Sequence, residues 1–155
     1  MKPTQPSLTL AFEMHATLGP VTEVGKLANG MVRRIIPVTG GTFEGPGIKG
    51  IVLNGGADWQ IVTPDGIAVL DARYTLQTDQ GHSIYISNKG IRHGKPEVLK
   101  RLAAGEEVDP SEYYMRTVAE MEAAAPELDW VRRTVFACSG ARFKNTVIIA
   151  FYKVD

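Results

Sequence analysis

The chain has 155 residues, with 17 Lys and Arg against 17 Asp and Glu, so its formal net charge is zero. That balance argues against a nucleic-acid binder, which needs a basic surface to neutralise phosphates. An apolar fraction of 44% argues against disorder. One cysteine, Cys138, excludes an intrachain disulfide, and no apolar run approaches the ~18 residues of a membrane helix. The N-terminal Met1-Lys2-Pro3-Thr4-Gln5-Pro6 has no apolar signal core and reads as a flexible lead-in. These features predict one domain over 1–155, a cytoplasmic setting by default, and no membrane partner.

Glycine is frequent, at 16 residues, and with proline it punctuates the chain at intervals of about 8–12 residues. That rhythm predicts an all-β sandwich or barrel. The first strand is predicted at Leu8–Leu18, where Leu8, Leu10, Phe12, Met14, Ala16 and Leu18 recur with a period of two. A short strand follows at Val21–Val24, then a turn at Ala28-Asn29-Gly30. Arg33–Gly41 reads as a strand, with Pro37 placing it near an edge or bulge. Ile48–Leu53 and Trp59–Thr63 are the next strands, separated by Asn54-Gly55-Gly56. Val69–Thr78 and Ser83–Asn88 form a hairpin around Asp79-Gln80-Gly81. One short helix is predicted near 96–104, with Pro96 in its first turn and Gly105 at its end.

The stretch 109–125 fits two patterns. Asp109-Pro110-Ser111-Glu112 resembles a capping box and the following residues favour helix, yet Glu112–Val118 also fits a strand. On pattern alone the balance tips towards helix. Pro126–Val131 reads as a short turn, and Thr134–Ser139 with Thr146–Val154 as a closing antiparallel hairpin. Eight or nine strands must manage their edges, and closure into a barrel removes them. A barrel of that size holds its own side chains or one small ligand.

Several apparent motifs are better read blandly. Gly45-Pro46-Gly47-Ile48-Lys49-Gly50 has dinucleotide-like glycine spacing, but no helix follows to receive a pyrophosphate, so it is a tight hairpin. His15, His82 and His93 are scattered and Cys138 has no Cys partner, so no metal site is expected. Glu13 and His15 share a strand face that reads as solvated, and Cys138 reads as a small buried hydrophobe.

What remains is a set of polar residues inside strand-like, aromatic segments. They are Asp58 beside Trp59, Asp71 and Arg73 beside Tyr74, Asn88 with Arg92 and His93, Tyr114 with Arg116, and Glu122. If their face looks inward, arginines for anionic oxygens and carboxylates for proton transfer line a pocket. The alternative is that they face water while Leu70, Ala72, Tyr74 and Leu76 fill the core.

At these residues the sequence resembles a known family. Gly55-Gly56-Ala57-Asp58-Trp59-Gln60, Asp71-Ala72-Arg73-Tyr74, Ile91-Arg92-His93-Gly94, Asp109–Thr117 and Trp130–Phe136 look like the block motifs of domain-of-unknown-function family 3237, also called uncharacterised protein family 0311. The resemblance runs in order from about Leu8 to Val154. It implies a single antiparallel β-barrel of the calycin type with about eight to ten strands, and a strand rather than a helix at 112–122. Some fungal relatives are associated with polyketide pathways, where closure to a lactone has been proposed. Where the family often reads Phe-Glu-Thr, this chain has Met121-Glu122-Ala123, which keeps the carboxylate and changes the flanking bulk.

The combined expectation is a small-molecule barrel without metal or nucleotide cofactor. Asp58 or Glu122 would act as general base and Tyr114 as proton donor, with Arg73 and Arg116 as anion anchors. Trp59, Tyr74, Asn88, Arg92, His93 and Trp130 would complete the substrate-binding wall. The substrate would be a small, partly apolar carboxylate, ketone or acyl compound undergoing isomerisation, dehydration or lactone closure. A non-catalytic carrier or sensor, and a homodimer or higher homo-oligomer with the polar motifs at its interface, are the alternatives.

Overall fold

A computed structural model describes residues 1–155. Ten strands form one antiparallel sheet that closes on itself as an eight-stranded barrel. They are β1 (Leu8–Leu18), β2 (Thr22–Lys26), β3 (Val32–Gly45), β4 (Ile48–Val52), β5 (Gly56–Val62), β6 (Ala68–Thr78), β7 (Ser83–Gly94), β8 (Tyr113–Ala123), β9 (Val135–Arg142) and β10 (Thr146–Val154). Neighbours follow β1-β10-β9-β8-β7-β6, and β3 completes the ring by pairing with β1. Ten strands fit an eight-strand ring because β3 is 14 residues long and each of its edges serves two partners. On one edge its first half pairs with β5 and its last residues with β4, so β4 and β5 share one place between β3 and β6; on the other its first half pairs with β2 and its second half with β1.

The predicted barrel is therefore the observed fold, with some strands longer than the sequence suggested. β7 continues six residues beyond Asn88, to Gly94. β1 has the predicted bounds, but its alternation breaks at a bulge between Leu10 and Phe12. The extra residue shifts the phase, so Ala11, Phe12, Met14 and Ala16 are buried while Leu8 and Leu10 are exposed.

The helix tendency at 109–125 is corrected to strand β8. The capping signal is real but short: Asp109 Oδ1 accepts from the Ser111 N–H at 2.9 Å and caps a single 3-10 turn, Pro110–Glu112. Beyond it, Tyr113, Met115, Thr117, Ala119 and Met121 point inward in strict alternation. β8 finds eleven paired positions on β7 and four on β9. Two partner strands and a period of two outweigh the local helix propensity.

Helix α1 (Pro96–Ala103) lies after β7, close to the predicted bounds, with Pro96 at its start and Gly105 at φ +80° after its end. A second short helical turn, of 3-10 type, spans Pro126–Arg133. It sits at the opposite end of the barrel, where β8 ends and β9 begins.

The interior divides into two halves. Towards the Pro126–Arg133 end, Phe12 packs edge-on against Phe43 and tilted against Phe151, with ring centroids at 5.3 and 4.6 Å, and Leu76, Ile84 and Ile86 are fully buried around them. This half is solid packing. Towards the α1 end the inward positions become polar, and the barrel holds a cavity.

Candidate functional site

The cavity sits on the inner wall made by β1, β3, β5, β6, β7, β8, β9 and β10. Its volume is about 60 Å³, room for roughly four to six water-sized groups. Met14, Ile36, Leu70 and Ile149 give it an apolar body. Asp58, Gln60, Tyr74, Asn88, Arg92, Thr117 and Arg142 give it polar points.

Asp58 and Gln60 project from β5 on the same face, two residues apart. Asp58 Oδ1 accepts the Asp71 backbone N–H at 2.9 Å, and Oδ2 accepts from Gln60 Nε2 at 3.2 Å. Gln60 is 1% exposed, and its Oε1 accepts from Arg34 Nη1 at 3.3 Å. A polar relay thus runs Arg34–Gln60–Asp58. Burial raises the Asp58 pKa above the ordinary carboxylate range; the Asp71 N–H, the Gln60 amide and the field of Arg92 oppose that shift without cancelling it.

Opposite, Asn88 Nδ2 donates to Tyr74 Oη at 3.2 Å. Because that oxygen is acting as acceptor, its own proton remains available to another acceptor. Burial holds Tyr74 firmly as the neutral phenol. Asn88 Oδ1, Thr117 Oγ1 and Arg92 Nε have no partner in the protein, although Asn88 is 3% and Thr117 7% exposed. Unpaired polar atoms in such positions are costly and call for an explanation.

The α1 end of the cavity is framed by arginines. Arg92 and Arg142 line both the cavity and a larger groove of about 380 Å³ that runs beneath α1 and also carries Arg34. Burial, with Arg34 nearby, lowers the Arg92 pKa. Burial with Arg92 and Arg34 as like-charged neighbours brings Arg142 down to about 10.

Of the residues the sequence singled out, the fold brings Asp58, Tyr74, Asn88 and Arg92 together in this cavity. It does not bring the others there, and the expected convergence of Asp58, Arg73, Tyr114, Arg116 and Glu122 is corrected. Arg73 lies on the outer face of β6, 3.6 Å from Asp71 and with its guanidinium carbon 5.7 Å from the Trp59 ring centre. Trp59 is on the outer face of β5. Tyr114 is 44% exposed, stacks on His93 with centroids at 4.9 Å, and lies under Arg116 at 5.5 Å. Glu122 also faces outward, opposite Tyr85 of β7. Trp130 belongs to the 3-10 turn at the far end, 6.0 Å from Phe136.

The physical reason is strand parity. Arg73 is in phase with Asp71, Thr75 and Gln77, whereas Leu70, Ala72, Tyr74 and Leu76 face inward. Tyr114, Arg116 and Glu122 occupy the outward phase of β8. Arg34, Gln60, Thr117 and Arg142 were missed. Their signal was the opposite parity: Arg34 alternates with Ile36 and Val38, Thr117 with Met115 and Ala119, and Arg142 with Phe136 and Cys138.

No group of three or more His, Cys, Asp or Glu side chains is gathered closely enough to hold a metal ion. No helix is long and apolar enough to cross a membrane.

A family model described as a protein of unknown function, DUF3237, matches residues 6–154, and the chain belongs to that family. A UPF0311 protein of Rhodopseudomonas palustris is 42% identical over 143 residues, covering 92% of this chain and 93% of that protein. The crystal structure of a β-barrel-like protein from Acinetobacter baumannii superposes with a TM-score of 0.87 at 43% identity, covering 99% of each chain. A hydroalkoxylation enzyme of Penicillium herquei is 30% identical over 86 residues, 56% of each chain.

Proposed function

We propose that the barrel is an acid–base enzyme for a small, partly apolar substrate, with Asp58 as the group that moves the proton. The observation that carries this reading is the placement of Asp58: a buried carboxyl group with a raised pKa, fixed by the Asp71 N–H and Gln60, at the wall of the interior cavity. Such a group exchanges a proton near neutrality more readily than a solvated aspartate does.

The surrounding side chains suit the same step. Asp58 takes a proton from a substrate hydroxyl or activated carbon. Tyr74, a neutral phenol with its proton free, donates towards the oxygen that accumulates charge. Arg92 and Arg142 offset that charge from the cavity mouth. The protonated Asp58 then returns the proton to another atom of the same molecule, so the net change is an isomerisation, or an addition or elimination within one substrate. Hydroalkoxylation, the addition of an O–H across a carbon–carbon double bond, is chemistry of this class, and the similarity to the Penicillium herquei enzyme supports that direction.

The test is proton exchange. The protein is incubated in D₂O with a panel of aryl ketones, hydroxy acids and alkenyl phenols, and deuterium incorporation or ring closure is followed by proton NMR. At least one class is expected to react, and Asp58→Asn is expected to slow it about 100-fold or more, the scale of one lost acid–base group. An unchanged rate in Asp58→Asn overturns the reading. Binding without turnover in both proteins leaves a carrier instead.

One observation favours an additional role for the outer wall. Trp59, Val69, Tyr85, Ile91, Tyr114 and Val118 are exposed on neighbouring strands β5–β8, interleaved with Arg73 and Arg116. We infer that this face mediates pairing of two copies of the chain. Light scattering after gel filtration tests it: a monomer at ~100 μM would sink the idea, since a weak interface still associates there.

A further inference from the structure

We propose that the site selects an anionic small molecule, a carboxylate or a phenolate, and that Arg34, Arg92 and Arg142 at the cavity mouth are its anchor. The proposal deepens the acid–base reading above and rests on the same cavity.

Charge balance is the first support. The chain's close ion pairs engage Arg73, Arg101, Arg132 and Arg133 together with His15 and His82; Arg34, Arg92 and Arg142 have no carboxylate within 4.0 Å. Arg34 acts on Arg92 as a like charge, Arg92 and Arg34 act on Arg142 in the same way, and the carboxylate whose field reaches both Arg92 and Arg142 is that of Asp58. Three cations around one buried acid leave an excess of positive charge, larger still when Asp58 is protonated. Buried charges persist when they are paired or coordinate something. A surface arginine escapes into water, but Arg92 and Arg142 are each half-buried on an inward strand position.

Geometry is the second support. The three arginines lie where the interior cavity meets the groove under α1. An anion there has apolar wall on its inner side and open groove on its outer side. Asn88 Oδ1, Thr117 Oγ1 and Arg92 Nε, the unpartnered polar atoms of this wall, supply acceptors and a donor to the part of the ligand that enters. The inner space admits a fragment of about four to six heavy atoms, so a small ring or branched chain enters while bulkier substituents remain in the groove. The arginine fork pairs with a carboxylate or phenolate oxygen more specifically than a point charge does.

The arginines the sequence suggested for this role, Arg73 and Arg116, stand on the outer wall and serve as internal controls.

The test is calorimetric titration with benzoate and its neutral isostere benzamide, with 3-methylbutanoate as a smaller anion. Benzoate or 3-methylbutanoate is expected to bind at least about tenfold tighter than benzamide, the scale of one charged hydrogen bond. Arg142→Gln and Arg34→Gln are expected to weaken anion binding about tenfold or more and to leave benzamide unchanged. Arg73→Gln and Arg116→Gln should bind like the parent. Melting temperatures establish that each variant is folded, and Arg142→Lys provides a second variant that keeps the charge and loses the fork. Equal affinity for benzoate and benzamide, full affinity in Arg142→Gln, or no saturable binding of either anion by ~20 mM would overturn the anchor. Asp58→Asn separates the two readings. Proton exchange that depends on Asp58 without anion selectivity removes the anchor alone, whereas anion selectivity without such exchange removes the acid–base role alone.

Discussion

The inner and outer walls of this barrel are built from the same strands and from the same residue types, and they differ only by parity. β8 alternates Tyr113, Met115 and Thr117 inside with Tyr114, Arg116 and Val118 outside. β7 places Arg92 inside and His93 outside. Outside, an arginine lies over an aromatic ring in contact with water, where such a contact contributes about 0.5–1 kcal/mol. Inside, an arginine sits among other arginines with its pKa lowered by burial. A one-residue step along the strand therefore separates a modest surface contact from a strongly perturbed group.

The largest break of this contrast is predicted at a residue without a side chain. Gly90 faces inward on β7 between Asn88 and Arg92. A Cβ there would lie 2.1 Å from the Arg116 carbonyl oxygen and 2.6 Å from Thr117 Cα. Those are backbone atoms of β8 and cannot swing aside. Gly90→Ala is expected to cost about 3 kcal/mol, at the upper end for overpacking, and to lower Tm by roughly 6–12 °C. Val135→Ala, on β9 and 62% exposed, should change Tm by less than about 2 °C. Equal effects in a thermal melt would mean that the two walls are not energetically distinct.

The next largest effect is at Arg142, and its sign is opposite to that of an ordinary buried residue. Without an anion, Arg142→Gln removes one of three clustered cations and is expected to raise Tm by about 2–6 °C, whereas Arg116→Gln should leave it within about 1 °C. The pH dependence sharpens the point. The folded-state pKa of Arg142 is lowered to about 10, so above that pH the unfolded chain holds more protons than the folded one. The penalty is present at neutral pH and is relieved as pH rises through about 10. The stability difference between Arg142→Gln and the parent should therefore narrow between pH 8 and pH 10.5. A gap that widens would contradict a penalty that comes from burial beside like charges.

Much of this fold was legible in the sequence because β-strands write their burial as alternation. Leu8–Leu18, the 79–81 hairpin loop and the helix after Pro96 were placed from local pattern alone. The candidate site was legible only in half: Asp58, Tyr74, Asn88 and Arg92 were named and do share the cavity. The rest failed on parity. Tyr114, Arg116 and Glu122 were grouped by composition and motif, and neither of those carries the facing of a strand. Arg142 was invisible for a different reason, since β9 was ended at Ser139 and the inward series Phe136, Cys138, Gly140, Arg142 was cut short. At the Leu10/Phe12 bulge a single inserted residue inverts every facing on one side of it, and nothing in the local alternation marks it.

The smallest predicted effect concerns Cys138, which occupies the inward series of β9 next to Phe136 and is 2% exposed. Burial raises its thiol to about 11. At pH 8 that leaves three units between pH and pKa, so roughly one thiol in a thousand is ionised, and the thiolate is the reactive form. The folded protein should give under about 5% labelling by a disulfide reagent in an hour at pH 8, and full labelling in denaturant. The same shift has a stability signature opposite to that of Arg142. An unfolded cysteine ionises near pH 8.5, so the neutral buried thiol contributes stability that is complete below that pH and declines as pH rises towards about 11. Cys138→Ala should lose this downward slope while Arg142→Gln loses the upward one. Rapid labelling of the folded parent would place Cys138 on the reactive, accessible side of the wall.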